Sequence, residues 1–185
     1  MNYSYISHSD LANLIKASGP GGSGKEYQIV DARDEDYAGG NIPGAIRAPS
    51  EERTEESVRE LVEQLKDVPK VIFHCSLSQV RGPKTARIYA DAAAAYRAQQ
   101  ASATESAASD AAASSVSSAS TTKIQAAAEA ARNFSPNPYG AVDRQVGQQE
   151  VLVLRDGFKN WQGLYRNDPI LVENFDSQIW RDWDA

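Results

Sequence analysis

Three short apolar runs limit what this chain can fold into. Lys70-Val71-Ile72-Phe73 is rich in residues that suit a buried strand, and Tyr27-Gln28-Ile29-Val30-Asp31 reads as a second one ending in polar residues. Glu150-Val151-Leu152-Val153-Leu154 is nearly continuous in apolar side chains, the pattern expected where helices cover both faces of a parallel sheet. Helical patterns separate the runs. Leu11, Leu14 and Ile15 share a face after a cap at Ser9 or Asp10, and that helix stops at Ser18-Gly19-Pro20. Between Glu51 and Lys66, Val58, Leu61, Val62 and Leu65 lie on one face while Glu and Arg cover the other. Lys84 to Gln100 is strongly helical by propensity. Strands alternating with helices in this way predict an α/β fold, a mainly parallel central sheet flanked by helices.

The remaining segments connect or interrupt that pattern. Gly19 to Gly24 forms a connector, and Gly39-Gly40-Asn41-Ile42-Pro43-Gly44 is turn chemistry leading into a brief strand around Ala45 to Arg47. From Ala101 to Thr122 the sequence is almost entirely alanine, serine and threonine, with Glu105 and Asp110 its only charges and Val116 its only larger apolar side chain. Such a stretch cannot build a core, so it reads as a mobile Ala/Ser-rich insertion followed by a helical piece near Lys123 to Arg132. The 185 residues are accordingly expected to form a single domain, 1–185, interrupted at about 101–147 by the insertion and its loop. Trp180 and Trp183 are expected to pack against its body.

Composition excludes several functions. A formal charge of -6 without a dense basic block argues against nucleic-acid binding. No stretch approaches the roughly 20 apolar residues of a membrane helix, so no membrane partner is expected. His8, His74 and Cys75 lack the spacing of metal ligands. The single cysteine cannot form an internal disulfide, and the N-terminus lacks the basic start and apolar run of a secretion signal. Both point to a reducing compartment, cytoplasm or nucleus.

The run Phe73-His74-Cys75-Ser76-Leu77-Ser78-Gln79-Val80-Arg81-Gly82-Pro83 joins the middle strand to the alanine-rich helix and sets the cysteine six positions before an arginine. Pro83 takes a first-turn position, where a missing N–H costs nothing. A turn of this kind aims its amides at one point. An anion there meets backbone N–H groups, the positive end of the helix dipole and the planar fork of Arg81. Those groups also favour the thiolate of Cys75, the form that attacks phosphorus, arsenic or sulfur. Ligands of parallel sheets bind beyond the carboxyl ends of the strands, and Cys75 immediately follows one.

Three segments together resemble the rhodanese fold, in particular the single-domain branch of cell-cycle dual-specificity phosphatases and eukaryotic arsenate reductases. Ile29-Val30-Asp31-Ala32-Arg33 with Gly40-Asn41-Ile42-Pro43-Gly44-Ala45 is similar to that family's opening motif, and His74-Cys75 through Arg81-Gly82-Pro83 to its active loop. Leu154-Arg155-Asp156-Gly157-Phe158-Lys159-Asn160-Trp161 is similar to its closing motif. Two departures are visible: Asn41 where many members carry histidine, and Asp156 where glycine is common. Sulfurtransferases of this fold generally have a six-residue loop, whereas Cys75 to Arg81 is the longer form of phosphatases and arsenate reductases. The added residue widens the cradle for a tetrahedral anion with several oxygens.

The resemblance implies a cysteine-dependent phosphatase acting on phosphotyrosine or other phosphomonoesters through a thiophosphate intermediate. Cys75 and Arg81 carry catalysis, and the backbone amides of Ser76, Leu77, Ser78, Gln79 and Val80 bind the substrate. Ser78 either bonds the thiolate or serves the local backbone, and His74 is expected to be buried and satisfied by backbone groups. Asp31 and Arg33 resemble the family's structural ion pair. No carboxylate lies inside the loop to act as general acid; Asp34, Glu35, Asp36 and Asp156 stand in neighbouring loops, and none is assigned. The expected partners are a phosphorylated protein or a small phosphomonoester, and no cofactor is required. The alternative is arsenate reduction, with arsenate as substrate and glutathione as co-substrate: one cysteine allows no intramolecular disulfide cycle, so electrons must come from glutathione or a glutaredoxin. A non-catalytic rhodanese module that binds partners is the reading from another class. Neither the oligomeric state nor the physiological substrate is read from the sequence.

Overall fold

The structure is a computed structural model, and it describes residues 2–19, 22–112 and 149–181. Five strands form one sheet: β1 (Ser4–Ile6), β2 (Gln28–Asp31), β3 (Ile46–Arg47), β4 (Lys70–His74) and β5 (Glu150–Leu154), in the order β1-β5-β4-β2-β3. Among the described residues every pairing between these strands is parallel and the isolated Asn41–Glu173 bridge is antiparallel, so the α/β prediction with a mainly parallel sheet holds. The helices are α1 (His8–Ser18), α2 (Glu55–Leu65), α3 (Arg81–Ala112), α4 (Gly157–Tyr165) and the short α5 (Ser177–Trp180).

The three apolar runs occupy the middle of the sheet because successive side chains of a strand point to opposite faces. Ile29, Ile72, Leu152 and Leu154 go to one side, where they meet Leu11, Ala12 and Ile15 of α1 and Phe158 and Trp161 of α4. Val30, Val71, Phe73, Val151 and Val153 go to the other, against Val62 and Leu65 of α2 and Ala86, Tyr89, Ala90 and Ala93 of α3. Two covered faces leave no room for polar alternation, which is why these strands read as continuous apolar runs. In α2, Val58, Val62 and Leu65 are buried and Leu61 partly so. Thr54 and Ser57 form a reciprocal capping box at its start, an arrangement worth about 1 kcal/mol.

Some boundaries differ from the sequence reading. α1 begins earlier than a cap at Ser9 or Asp10 implies, because Ser7 is the cap and its Oγ accepts from the Asp10 amide at 3.1 Å. β1 pairs with β5 through Ser4, Tyr5 and Ile6, a three-residue edge strand whose identity comes from its neighbour and not from its own composition. α3 starts at Arg81 and runs on through Ala112.

The chain divides into two compact units, Met1–Arg97 with Gln149–Ala185, and Ala98–Gln148. The sheet and every candidate site residue belong to the first. Of the second, the described part is the continuation of α3 from 98 to 112. The rest of the Ala/Ser-rich tract, the helix expected near Lys123 to Arg132 and the loop to 147 lie outside the described residues, as does Trp183. Where the first unit resumes, Gln149 ties it together: its Nε2 donates to the carbonyls of Leu65 (2.6 Å) and Val68 (2.7 Å), and its Oε1 accepts from the Tyr89 hydroxyl (2.9 Å). Among the described residues no helix is long and apolar enough to cross a membrane.

Candidate active site

The site is built where β4 ends and α3 begins. Cys75, 3% exposed, follows His74 directly, and the chain bends through Ser76 to Val80 before Arg81 opens the helix. Two features set the turn. Ser78 takes a left-handed backbone (φ 49°), which carries its amide under the cysteine: the Ser78 N–H donates to Cys75 Sγ at 3.2 Å, and its Oγ accepts from the Cys75 amide at 3.4 Å. From outside, α4 clamps the loop, with the amides of Phe158 and Lys159 donating to the carbonyls of Cys75 and Ser76, each at 2.9 Å. Gly157 makes that approach possible. Its φ is 63°, and a Cβ there would stand 2.5 Å from both carbonyl oxygens.

The clamp consumes carbonyls and leaves amides. Among the described residues, the N–H groups of Ser76, Leu77, Gln79 and Val80 have no acceptor. Successive unpaired amides in a turn make an anion-binding concavity. They border a cavity of about 450 Å³ lined by Cys75, Ser76, Leu77, Gln79, Val80 and Arg81, together with Glu35, Asp36, Ala38, Lys159, Ile179 and Trp180. Of the seven residues assigned from the sequence, six line this cavity. Ser78 does not; it is buried beneath, its hydroxyl occupied with the loop backbone. Among the described residues no cluster of His, Cys, Asp and Glu could hold a metal ion.

Arg81 is half-buried and doubly paired. Its Nη1 donates to Asp34 Oδ2 at 2.9 Å and to Asp36 Oδ1 at 2.7 Å, and Nη2 donates to Asp36 Oδ2. Asp36 Oδ2 also accepts from the Ser76 hydroxyl, so one carboxylate bridges the first residue of the loop and the arginine at its end. Its hydrogen bonds from Arg81, opposed by burial and helped by Ser76, hold the Asp36 carboxyl well below the usual carboxylate range, and the pairing drives Arg81 higher still. Burial pushes Asp34 up, but hydrogen bonds from Ser50, Arg81 and the Glu51 amide outweigh it and leave this carboxyl low as well. Glu35 lines the cavity without a hydrogen bond among the described residues, and Asp156 borders a neighbouring recess instead.

Asp36 escaped assignment from the sequence because its partner lies 45 positions away. The signal was topological: β2 and β4 are adjacent and parallel, so the loops that follow them meet at the same carboxyl edge. Lys159, Ile179 and Trp180 carry no such signal. His74 is fully buried, as expected; among the described residues its ring nitrogens meet no partner at strict hydrogen-bond geometry, the Cys75 backbone acts on the ring more weakly, and Nε2 stands 3.7 Å from Asp31 Oδ2. Burial pushes its pKa down, with the Asp31 charge opposing.

Neither Asn41 nor Asp156, the two positions that depart from the pattern the sequence resembles, lines the cavity that holds Cys75. Asn41 pins the C-terminal segment, its Nδ2 donating to Glu173 Oε1 at 2.7 Å and its Oδ1 accepting from Asn174 at 3.1 Å. Asp156 adopts φ 57°, a conformation that glycine takes freely and Asp tolerates.

Comparison with known proteins agrees with this architecture. The family model described as rhodanese-like domain matches residues 10–164. The dual specificity phosphatase ibp1 of Schizosaccharomyces pombe is 45% identical over 88 residues, 48% of this chain and 59% of that protein. Arsenical-resistance protein 2 of Saccharomyces cerevisiae is 37% identical over 90 residues, 45% of this chain and 65% of that protein. The matched regions thus span about three fifths of these relatives' lengths. A solved yeast protein tyrosine phosphatase of the rhodanese family shares the fold, with a TM-score of 0.61 at 22% identity, covering 98% of this chain and 99% of that one.

Proposed function

The chain belongs to the rhodanese-like domain family, and within it we propose that this protein is a cysteine-dependent phosphatase acting on phosphotyrosine or other phosphomonoesters. The observation that carries the reading is the set of unpaired amides at Ser76, Leu77, Gln79 and Val80 around Cys75 Sγ. A sulfur nucleophile at the bottom of such a nest faces a group with several equatorial oxygens. The Cys75 thiolate attacks phosphorus, the bond to the leaving oxygen breaks with its electron pair on that oxygen, and a thiophosphate forms. Water then attacks phosphorus, the P–S bond breaks and the thiolate returns. The loop amides and Arg81 hold the equatorial oxygens throughout. Ser78 contributes its amide to Sγ, and its side chain serves the turn. No cofactor is needed.

Arsenate reduction is the second reading, supported by the likeness to the arsenical-resistance protein and by the same nest, which suits any tetrahedral oxyanion. With one cysteine in the chain, Cys75 attacks arsenic and glutathione or a glutaredoxin supplies the electrons that release the adduct. Either chemistry needs a reduced thiol, which fits the cytoplasm or nucleus. The proposed unit is a single rhodanese-like domain, 1–185, interrupted at about 101–147.

The test is direct. The protein is incubated with an aryl phosphate, with arsenate plus glutathione and glutaredoxin, and with thiosulfate plus cyanide. Hydrolysis in the first, lost in Cys75→Ser without loss of fold, is expected. Activity in the second alone selects arsenate reduction, in the third alone sulfur transfer, and silence in all three leaves a binding module.

A further inference from the structure

The two carboxylates on Arg81 are not equivalent. Asp34 is 11% exposed and fastened independently of the arginine, its Oδ2 accepting from the Ser50 hydroxyl at 2.7 Å and its Oδ1 from the Glu51 amide at 3.0 Å. Asp36 is 32% exposed, sits in the same cavity as Cys75 and engages both terminal nitrogens of the guanidinium. Asp34 therefore places Arg81. Asp36 occupies the fork that a phosphoryl group needs.

We propose that Asp36 is the general acid of this site, released to that role when the substrate's oxyanion displaces it from Arg81. The proposal rests on the phosphatase reading and supplies the proton donor that the Cys75–Arg81 loop lacks. A phosphoryl group has the geometry to take over the bidentate contact, and it gains the four free loop amides as well. Asp34 still holds Nη1, so Arg81 stays in position through the exchange. Asp36 stays near the reacting atoms through the Ser76 hydroxyl and the Asp34 amide, the latter donating to its Oδ1 at 3.0 Å. Having lost its cation and gained an anionic neighbour, the carboxyl takes up a proton from solvent, which reverses the influence that keeps it ionised at rest. As the P–O bond breaks, that proton passes to the leaving oxygen. In the second step the carboxylate takes a proton from the attacking water as the P–S bond breaks, and it gives that proton back to solvent when phosphate leaves and Arg81 is recaptured. Glu35, the other carboxylate lining the cavity, makes no hydrogen bond to the loop or to Arg81 among the described residues and so has no comparable tether.

The experiment pairs a leaving-group series with calorimetry. In Asp36→Asn, kcat for phenyl phosphate, a poor leaving group, should fall about 100-fold, and that for a dinitrophenyl phosphate less than about tenfold, since general acids contribute roughly 100- to 10,000-fold where the leaving oxygen needs a proton. Tungstate should bind the variant several-fold more tightly, because Arg81 no longer has to be freed from a charged partner. Slower turnover with tighter binding is a combination that a structural role does not produce. Asp36→Glu should recover part of the phenyl phosphate rate. In the wild type, tungstate titrated calorimetrically in buffers of different ionisation heats should show proton uptake, a measurement that needs no variant to fold. Equal losses across the series, absence of proton uptake, or a leaving-group effect appearing in Glu35→Gln instead overturns the assignment while leaving the phosphatase reading intact. A wild type inert toward every aryl phosphate overturns both.

Discussion

Two arginine–aspartate clusters stand a few residues apart in this fold and behave as opposites. Arg33 and Asp31 are both fully buried: Arg33 Nε lies 3.0 and 2.9 Å from the two carboxylate oxygens, Nη2 lies 2.6 Å from Oδ2, and Nη2 also reaches the Gly40 carbonyl at 2.8 Å. The guanidinium lies 4.0 Å over the Phe158 ring. Arg81 and Asp36 each keep about a third of their side-chain surface in solvent. Water cannot replace a lost partner in the first cluster, whereas in the second an anion from solution can. The difference teaches where charge serves architecture and where it is available for exchange.

The sharpest way to break that contrast is to remove one arginine at a time. Arg33→Ala leaves Asp31 charged and buried, and loss of one partner from a buried pair costs roughly 3–5 kcal/mol. Urea denaturation should show a loss of that size, or no folded protein at all. Arg81→Ala should leave stability nearly unchanged and abolish oxyanion binding. A variant at 33 as stable as the wild type would mean that the buried pair is not structural.

The sequence carried the architectural cluster better than the exchangeable one. Asp31 and Arg33 are two residues apart at the end of a recognisable strand, so their pairing is local. The fold was legible for a similar reason: Val71-Ile72-Phe73 and Val151 to Leu154 are apolar at successive positions, and only a sheet covered on both faces buries all of them. Cys75, Arg81 and the loop amides follow from one contiguous run. Asp36 stood among four unassigned carboxylates, because its contact with Arg81 depends on β2 lying beside β4 and on which of three consecutive acidic residues reach the arginine. β1 was equally silent. Ser4-Tyr5-Ile6 acquires its conformation from pairing with β5, a contact across nearly 150 residues that local pattern does not encode.

Gly157 is where the two clusters share support, since the start of α4 both clamps the Cys75 loop and presents Phe158 to Arg33. A methyl group in Gly157→Ala would meet two backbone oxygens at 2.5 Å in a left-handed conformation. Strain of this kind costs at least about 2 kcal/mol. Thermal melting should register it, and turnover should fall further than stability explains, because the loop must move off Phe158 and Lys159. Unchanged activity would show that the clamp does not shape the nest.

Acid separates the clusters along the pH axis. His74, against Asp31, has its pKa pushed down by burial, with Asp31 opposing, so the unfolded chain binds a proton near its ordinary value of about 6.5 that the folded chain refuses. The unfolded state then holds more protons, and stability falls as pH drops from about 7 toward 5, by at most about 1.4 kcal/mol per pH unit for one histidine. His8 is shifted the same way, chiefly by burial, so the measurement is made in His8→Gln to isolate His74. Asp34 and Asp36 shift downward instead, so their contribution is complete above about pH 4 and disappears only below it. A flat stability between pH 7 and 5 in His8→Gln would show His74 charging without cost in the fold.

The smallest expected effect is also the most discriminating. Asp36→Asn removes a charge from a pair that water partly screens, and exposed pairs contribute roughly 0–1 kcal/mol to folding. Chemical denaturation should therefore hardly register the substitution, although Asp36 makes more hydrogen bonds to Arg81 than Asp34 does. The near-neutrality follows from the Asn side chain, which can still accept from Ser76 and Arg81, while Asp34 keeps the guanidinium in place. A loss of 3 kcal/mol or more, in the range roughly expected for a broken buried pair, would move Asp36 into the class of Asp31. It would then be a fixed part of the architecture, with no freedom to yield Arg81 to an incoming oxyanion.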